Sequence, residues 1–320
     1  MSSELIMKII AVVVTYNRRA LLEETLNALD IQTIKPSQII LIDNNSSDGT
    51  EHMVSSLQLS IPLQYERLRK NIGGAGGFKR GMQLAYTQDA DWLWCMDDDC
   101  VPHNDSLEKL LAALQDEMVS TAGFLASRVL WTDGTPCLMN LPVAHHSWIS
   151  SHGKNPYLSR IIGSSFVSML VSRNAIDTVG FPVEEFFIWF DDAEYSRRIS
   201  KVMPAYLVTD SVVTHKTPRN SKPLDFDELD EMSLWKYRYG LRNECSFHLQ
   251  TEGSISAFLF IARILSRMVG ACLALRFWPP IIKSCLKGLF FKYPRYIEFP
   301  NGVQRHKNNT RIDRAEGHIP

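Results

Sequence analysis

The chain has 320 residues, 45% of them hydrophobic and 22% charged, with a formal net charge of −1. That is ordinary for a globular protein long enough to bury a sizeable core, and it offers no electrostatic case for nucleic-acid binding. Six cysteines form no Cys-x-x-Cys pair or zinc-type Cys/His array, which fits reduced thiols in the cytosol, and Ile9 to Val14 is too short an apolar run for a signal peptide.

Ile9 to Val14 is a continuous, mostly β-branched run, the pattern of a strand covered on both faces in a parallel sheet. Thr15-Tyr16-Asn17-Arg18 is its loop, and an amphipathic helix is expected over 18–29. A second buried strand, Ile39 to Ile42, runs into Asp43-Asn44-Asn45-Ser46-Ser47-Asp48-Gly49-Thr50, rich in turn and cap residues. Leu63 to Leu68 is a weaker third strand.

The glycine-rich stretch Asn71 to Gly81 reads as a loop that leads into a helix from about Phe78 to Gln88. It is no Walker A loop, because Met82 follows Gly81 where a lysine is required, and it has no Gly-x-Gly-x-x-Gly spacing. Its glycines would let backbone approach a ligand closely, and Lys79 and Arg80 suit a diphosphate or a sugar. The next apolar run, Trp92 to Met96, ends in Asp97-Asp98-Asp99. Three adjacent anions repel one another and resist burial, so either the turn is solvated or a cation compensates it. A hard divalent cation, Mg²⁺ or Mn²⁺, suits such oxygen ligands.

Strand and helix alternate at short spacing, which predicts a doubly wound α/β domain. Ligands in such sheets sit beyond the carboxyl ends of the strands, so the loops at Thr15, Asp43, Asn71 and Asp97 should meet at one crevice.

A helix over 105–114 and a strand over 123–130 follow, then an irregular stretch, 131–154, carrying Trp131, His145, His146, Trp148 and His152. Those rings would line a carbohydrate subsite or form a packed lid. Phe186 to Phe190 is a hydrophobic run ending in Asp191-Asp192-Ala193-Glu194, whose continuation is helical. These carboxylates serve equally as helix caps or, facing the crevice, as a general base. His215 closes a short strand as a structural histidine or a nitrogen donor to a metal.

Taken together, Val14 to Arg18, Ile42 to Thr50, Asn71 to Gly81, Asp97-Asp98-Asp99, Phe190 to Glu194 and His215 resemble the family 2 inverting glycosyltransferases. The glycine-rich stretch and the Asp-Asp-Ala-Glu cluster are most similar to bacterial galactofuranosyltransferases, with rhamnosyltransferases as near relatives. The resemblance implies a GT-A nucleotide-diphospho-sugar transferase fold, mostly parallel in its sheet, with a C-terminal helical extension. It implies donor contacts from Thr15, Asn17, Arg18, Asp43, Asn71, Gly74, Arg80, Asp97 and Asp98, with Asp43 accepting bonds from the nucleoside. Asp97, Asp99 and His215 would hold Mn²⁺ or Mg²⁺. Asp192, or its neighbour Asp191, would be the base, and Trp189, Glu194 and Trp148 would meet the acceptor. The implied partners are a UDP-sugar, best matched by UDP-galactofuranose, or dTDP-rhamnose, and a saccharide or polyprenyl-linked saccharide acceptor. A nucleotide-sugar-binding scaffold on a degenerate core is the non-catalytic alternative.

The expected division is a catalytic domain over 1–225, with a donor half to about 100 and an acceptor half beyond it, a helical region over 226–303 and a polar tail over 304–320. Within the helical region, Leu234 to Glu244 is a basic-aromatic helix face. Ile255 to Trp278 is apolar yet interrupted by arginines, and Ile281 to Phe291 is apolar with Lys283 and Lys287. These helices would lie on an anionic membrane surface or on a partner, or pack on the catalytic domain. The expected setting is cytoplasmic, either free or peripheral on the cytoplasmic face of the inner membrane, and the oligomeric state is open.

Overall fold

The computed structural model describes residues 7–294, together with the backbone of a strand pair at 296–298 and 304–306. The tail expected from 304 lies outside the described residues beyond that strand.

Seven buried residues, Ile9–Thr15, form β1, and their side chains alternate between the two faces of the sheet. Ile9, Ala11 and Val13 join one core, while Ile10, Val12 and Val14 join another. Burial on both sides is why the run needs no polar alternation. After α1 (Arg19–Asp30) comes β2 (Gln38–Asp43), parallel to β1 with Thr15 opposite Asp43. Then follow α2 (Thr50–Ser56), β3 (Leu63–Arg67), α3 (Gly73–Thr87) and β4 (Trp92–Asp97), the last pairing the other edge of β1 with Asp97 opposite Val14. The carboxyl ends of β1, β2 and β4 are therefore level, and their loops share one rim.

The chain continues through β5 (Cys100–Pro102), α4 (Ser106–Ala113), β6 (Phe124–Trp131), β7 (Val143–Ala144), α5 (Trp148–Lys154), β8 (Leu158–Gly163), β9 (Met169–Ser172), α6 (Arg173–Val179), α7 (Asp191–Ser200) and β10 (Ala205–His215). The strand order is β3-β2-β1-β4-β9-β6-β10-β8-β7, with β5 paired to β10. β9 runs antiparallel between β4 and β6, while β6 and β10 are parallel. β5 turns straight back from the acidic triplet and pairs Cys100 with His215, which carries β10's last residue to Asp99.

The glycine-rich stretch differs from expectation. From Gly73 onward it is helical and forms the opening turns of α3, which begins at Gly73 rather than near Phe78. Glycine is a poor helix former, but the helix lies so close to its neighbours that side chains are excluded. A Cβ at Gly77 would sit 2.6 Å from Val14 Cγ1, one at Gly81 2.4 Å from Val12 Cγ1, and one at Gly73 2.0 Å from the Phe187 carbonyl oxygen. Part of the 131–154 stretch is likewise ordered as β7 and α5.

Three further helices, α8 (Leu234–Phe247), α9 (Ser254–Gly270) and α10 (Trp278–Phe290), surround a separate core of Leu224, Tyr237, Leu241, Phe260, Ile264 and Ile281. Among the described residues, no helix is long and apolar enough to cross a membrane.

Candidate active site

β4, β5 and β10 bring Asp97, Asp99 and His215 together, with one ligand atom from each lying within 4.8 Å of the others. Asp99 Oδ1 is 3.0 Å from His215 Nε2, and Asp99 Oδ2 accepts from Arg18 Nη1 at 2.5 Å. His215 Nδ1 lies 2.7 Å from Asn140 Oδ1, which sets the ring's orientation. Burial alone would lower the histidine's pKa, yet its bond to Asp99 raises it to about 10. Asp97 differs from Asp99. Burial and the charge of Asp99 push its carboxyl up to about 7, whereas burial of Asp99 is outweighed by its bond to His215, which lowers it. The centre thus holds an anion that the protein's own cations compensate incompletely. Two carboxylates and an imidazole are a hard, mixed oxygen–nitrogen set, which fits Mg²⁺ or Mn²⁺.

Asp98 points away from this cluster. It is buried and accepts from Thr15 Oγ1 at 2.7 Å, from the Tyr16 amide at 3.3 Å and from Arg18 Nη1 at 3.3 Å. Asp98 and Asp99 form the turn between β4 and β5, and within that turn the triplet divides its work, with the middle residue anchoring the β1 loop.

Across the crevice, α7 begins at Asp191, after a loop in which Phe187, Trp189 and Phe190 all have positive φ (66°, 62° and 75°). Bulky residues rarely adopt that region, at a cost of about 1–3 kcal/mol each. Asn243 on α8 holds the loop, its Nδ2 donating to the carbonyls of Phe186 (2.9 Å), Ile188 (3.2 Å) and Trp189 (2.8 Å). Arg242 adds bonds to Glu185 and Phe186. On its other side, Phe187 O accepts from the Ala75 amide in the first turn of α3. Asp191 is 7% exposed, and burial followed by the charges of Asp192 and Asp97 pushes its carboxyl well above the ordinary range. Asp192 is half-buried, with Oδ1 accepting from the Ala193 amide at 2.6 Å. Burial raises its pKa too, partly offset by amide bonds from Ala193 and Phe166.

Residues 10–141 match the family model described as glycosyl transferase family 2. The galactofuranosyltransferase GlfT1 of Mycolicibacterium smegmatis is 31% identical over 204 residues, which cover 59% of this chain and 64% of that one. The aligned stretch is just under two thirds of that relative's length. Among solved structures, S. aureus TarS 1-349 in complex with UDP-GlcNAc superposes with a TM-score of 0.56 at 14% identity, covering 90% of this chain and 82% of that one. The mannosyltransferase PcManGT from Pyrobaculum calidifontis, in complex with GDP-Man and Mn²⁺, gives 0.51 at 15% identity, covering 88% and 86%. The fold is therefore GT-A, a mixed central sheet with mostly parallel strands and a C-terminal helical region.

Within this glycosyltransferase fold, several residues expected to touch ligand are occupied by the protein itself. Asp43 is fully buried, with one oxygen accepting from the Ser46 amide (2.7 Å) and the other from Tyr65 Oη (2.7 Å). Both of its oxygens therefore already accept a bond within the wall of the crevice. The hydroxyl of Thr15 is committed to Asp98. Asn17 ties the β1 loop to the β2 loop through the Ser47 amide (2.8 Å), and Asn71 Oδ1 accepts from the Gly73 amide (2.7 Å) at the start of α3. Arg80 is held by Glu66 through two bonds, 2.8 and 2.9 Å. Gly74 alone in the first turn of α3 has nothing near its Cβ position, which leaves that turn open.

The residues expected at the acceptor are engaged elsewhere in this structure. Glu194 is 2% exposed and bonded to Arg198 one turn along α7, so it braces the helix. Trp189 packs edge-on to Tyr237 (5.1 Å) and against Gly240, as a filler under α8. Trp148 is at the far end of the sheet. His145 bonds to Arg160, which pairs with Tyr206, nine residues before His215 on β10.

Sequence reasoning misses three residues of the site. Asn140, which orients His215, has no local signal. Asn243 lies in a segment whose pattern is only basic and aromatic. In that segment Lys236 also stands within electrostatic reach of both Arg18 and Asp99. Burial and then Arg18 lower its pKa, against the pull of Asp99.

Proposed function

We propose that the chain is a metal-dependent inverting glycosyltransferase that moves a sugar from a UDP-sugar, with UDP-galactofuranose the best match, to a saccharide or polyprenyl-linked saccharide acceptor. The observation that carries this reading is the placement of the Asp97/Asp99/His215 cluster opposite the Asp191–Asp192 turn, close enough for Asp191 to feel the charge of Asp97. One side of the crevice can hold the leaving diphosphate, and the other can take a proton from an incoming hydroxyl.

A Mn²⁺ or Mg²⁺ ion on Asp97, Asp99 and His215 would supply positive charge to the departing diphosphate. The chain's own contribution to that charge is Arg18, bonded to Asp99, and Lys236, within electrostatic reach of it. The open first turn of α3 at Gly74 supports a sugar or phosphate lying alongside it. Asp192 is the base. One of its oxygens is fixed by the Ala193 amide, which aims the other, and it is the less buried of the pair. Removing the hydroxyl proton there contributes about 10²–10⁴-fold. Asp191, more deeply buried, holds its proton to higher pH and donates rather than accepts. No residue needs to form a covalent intermediate, and displacement from the face opposite the diphosphate inverts the anomeric centre.

The catalytic part corresponds to 1–225 and the helical part to 226–303, with the reaction placed at the cytosolic face of a membrane. A donor screen with Mn²⁺ or Mg²⁺ tests the reading, offering UDP-galactofuranose, dTDP-rhamnose and UDP-hexopyranoses against a lipid-linked acceptor mimic. Transfer from UDP-galactofuranose is expected. Transfer from dTDP-rhamnose alone would move the donor to rhamnose, and no transfer with no metal-dependent nucleotide binding would sink the transferase reading.

A further inference from the structure

Ser254 to Pro294 contains six lysines and arginines and no aspartate or glutamate. The whole chain has 34 basic and 35 acidic residues, so the rest of the protein is net acidic and this end carries a concentrated positive charge. Two of the cations are neutralised locally, Arg263 by Glu244 at 3.3 Å and Arg276 by Glu231 at 3.6 Å. Lys283 and Lys287 are exposed, on successive turns of α10, and among the described residues neither has an acidic partner.

The same two helices are apolar on both sides. α9 buries Ala257, Phe260, Ile264 and Met268, and on the opposite side exposes Ile255 (76%), Phe258 (70%) and Leu259 (61%). α10 buries Ile281, Cys285 and Gly288, and exposes Leu286 and Phe290, the latter 82% open. Its orientation is fixed, because a Cβ at Gly288 would lie 2.7 Å from the Arg242 carbonyl oxygen and 2.6 Å from Cys245 Cβ. The apolar outer faces therefore cannot roll inward. A groove of about 470 Å³ runs between α8 and α10, lined by Arg242, Lys283, Leu286, Lys287, Phe290 and Phe291. Cations sit beside aliphatic and aromatic walls in one open concavity, which is the chemistry of an anionic headgroup above an acyl chain.

We propose that the outer faces of α9 and α10 dock on an anionic bilayer, with a phospholipid phosphate held in the groove by Lys283 and Lys287. Single-sign charge interleaved with exposed phenylalanines and leucines matches an interfacial surface. Neither helix spans a bilayer, so the contact is peripheral. Arg242 lines this groove and also bonds to the carbonyls of Glu185 and Phe186. The docked face is thus one side chain from the loop that presents Asp191 and Asp192. This inference deepens the lipid-linked acceptor reading but is measured apart from it.

The experiment is flotation of the full chain with vesicles of phosphatidylcholine alone and of phosphatidylcholine mixed with phosphatidylglycerol. Flotation is expected with the mixed vesicles and not with the zwitterionic ones. Lys283→Ala with Lys287→Ala should weaken partitioning roughly 25-fold, about five-fold per lysine. Phe258→Ser with Phe290→Ser should abolish it, with thermal melts unchanged for both pairs because all four side chains are exposed. Failure of the wild-type chain to float, or flotation of the variants equal to it, overturns the inference. So does a wild-type dimer in sedimentation that the phenylalanine variant dissociates, since the face would then meet a second copy. Neither donor nor acceptor is present, so a protein that floats yet transfers no sugar keeps this inference and loses the transferase reading.

Discussion

Asn243 Nδ2 donates to the carbonyl oxygen of Trp189 at 2.8 Å and, with two further bonds, fixes a loop whose backbone would not otherwise hold its shape. Three left-handed aromatic residues, Phe187, Trp189 and Phe190, precede Asp191, and the fully buried amide of Asn243 satisfies the carbonyls of Phe186, Ile188 and Trp189 along the same loop. Asn243→Ala leaves the carbonyls of Ile188 and Trp189 unpaired, a cost of about 1–3 kcal/mol each. It should lower the melting temperature and reduce kcat by at least tenfold, while the Kd for UDP stays within about twofold. Calorimetry and steady-state kinetics check this, and an unchanged kcat would confine Asn243 to a stabilising role.

His215 is oriented by Asn140 from a different segment. Partners of this kind typically contribute 10–100-fold to metal affinity. Asn140→Ala should raise the Mn²⁺ concentration needed for half-maximal transfer by about that factor, leaving kcat at saturating metal little changed. Chelation should abolish transfer by the wild-type chain, and added Mn²⁺ should restore it. Activity that survives chelation would remove the metal from the scheme.

Lys236 reaches the crevice from α8, beyond the sheet, and stands near Arg18 and Asp99. If it meets the diphosphate, Lys236→Ala loses a charge-assisted contact, and the donor KM rises roughly tenfold. Lys236→Arg should recover most of this. A donor KM unchanged in Lys236→Ala would place the lysine outside the donor site.

The architecture is legible in the sequence because the physics behind it is local. Ile9 to Val14 declares a strand buried on two faces, and the alternation with helices declares a doubly wound sheet. The metal-cluster residues are legible as a set only through the family resemblance, since the residues alone leave the acidic triplet a solvated turn and His215 a structural histidine; the structure brings Asp97, Asp99 and His215 together. Other roles depend on partners far away in sequence. Nothing near Asp43 announces that Tyr65 will donate to one of its oxygens, and nothing near Arg80 names Glu66. The glycines from 73 to 81 read as a loop because glycine disfavours helices. Only the distance to Val12, Val14 and Phe187 shows that they are glycine to let α3 sit down. Glu194 reads as part of an acceptor cluster, but the helical period turns it to Arg198.

The base should leave its mark on the pH profile. Asp192 must be ionised to accept a proton, and burial raises its carboxyl above the ordinary value of 3.8. As pH falls through that raised pKa the base is lost, and kcat/KM should decline tenfold per unit below a limb lying above the ordinary carboxylate range. Asp192→Asn should remove transfer by about 10²–10⁴-fold while nucleotide binding, followed by calorimetry, persists. Full activity in that variant would pass the role to Asp191.

Asp191 should cost the folded chain stability once the pH rises above the ordinary carboxylate range. Its folded-state pKa is raised by burial and by the charges of Asp192 and Asp97, so the folded chain holds this proton more tightly than the unfolded chain does. Folding is then favoured at low pH. From the ordinary carboxylate value upward, stability falls by about 1.4 kcal/mol for each pH unit until the pH has passed the raised pKa. Asparagine has a similar shape and no charge to bury. Asp191→Asn should therefore melt higher than the wild-type chain near pH 8 without added metal, and the gap should close on acidification toward pH 4. Thermal melts across that range decide it. A variant that is less stable at pH 8 would mean that the ionised Asp191 is compensated in the folded chain and that the strain of the site lies elsewhere.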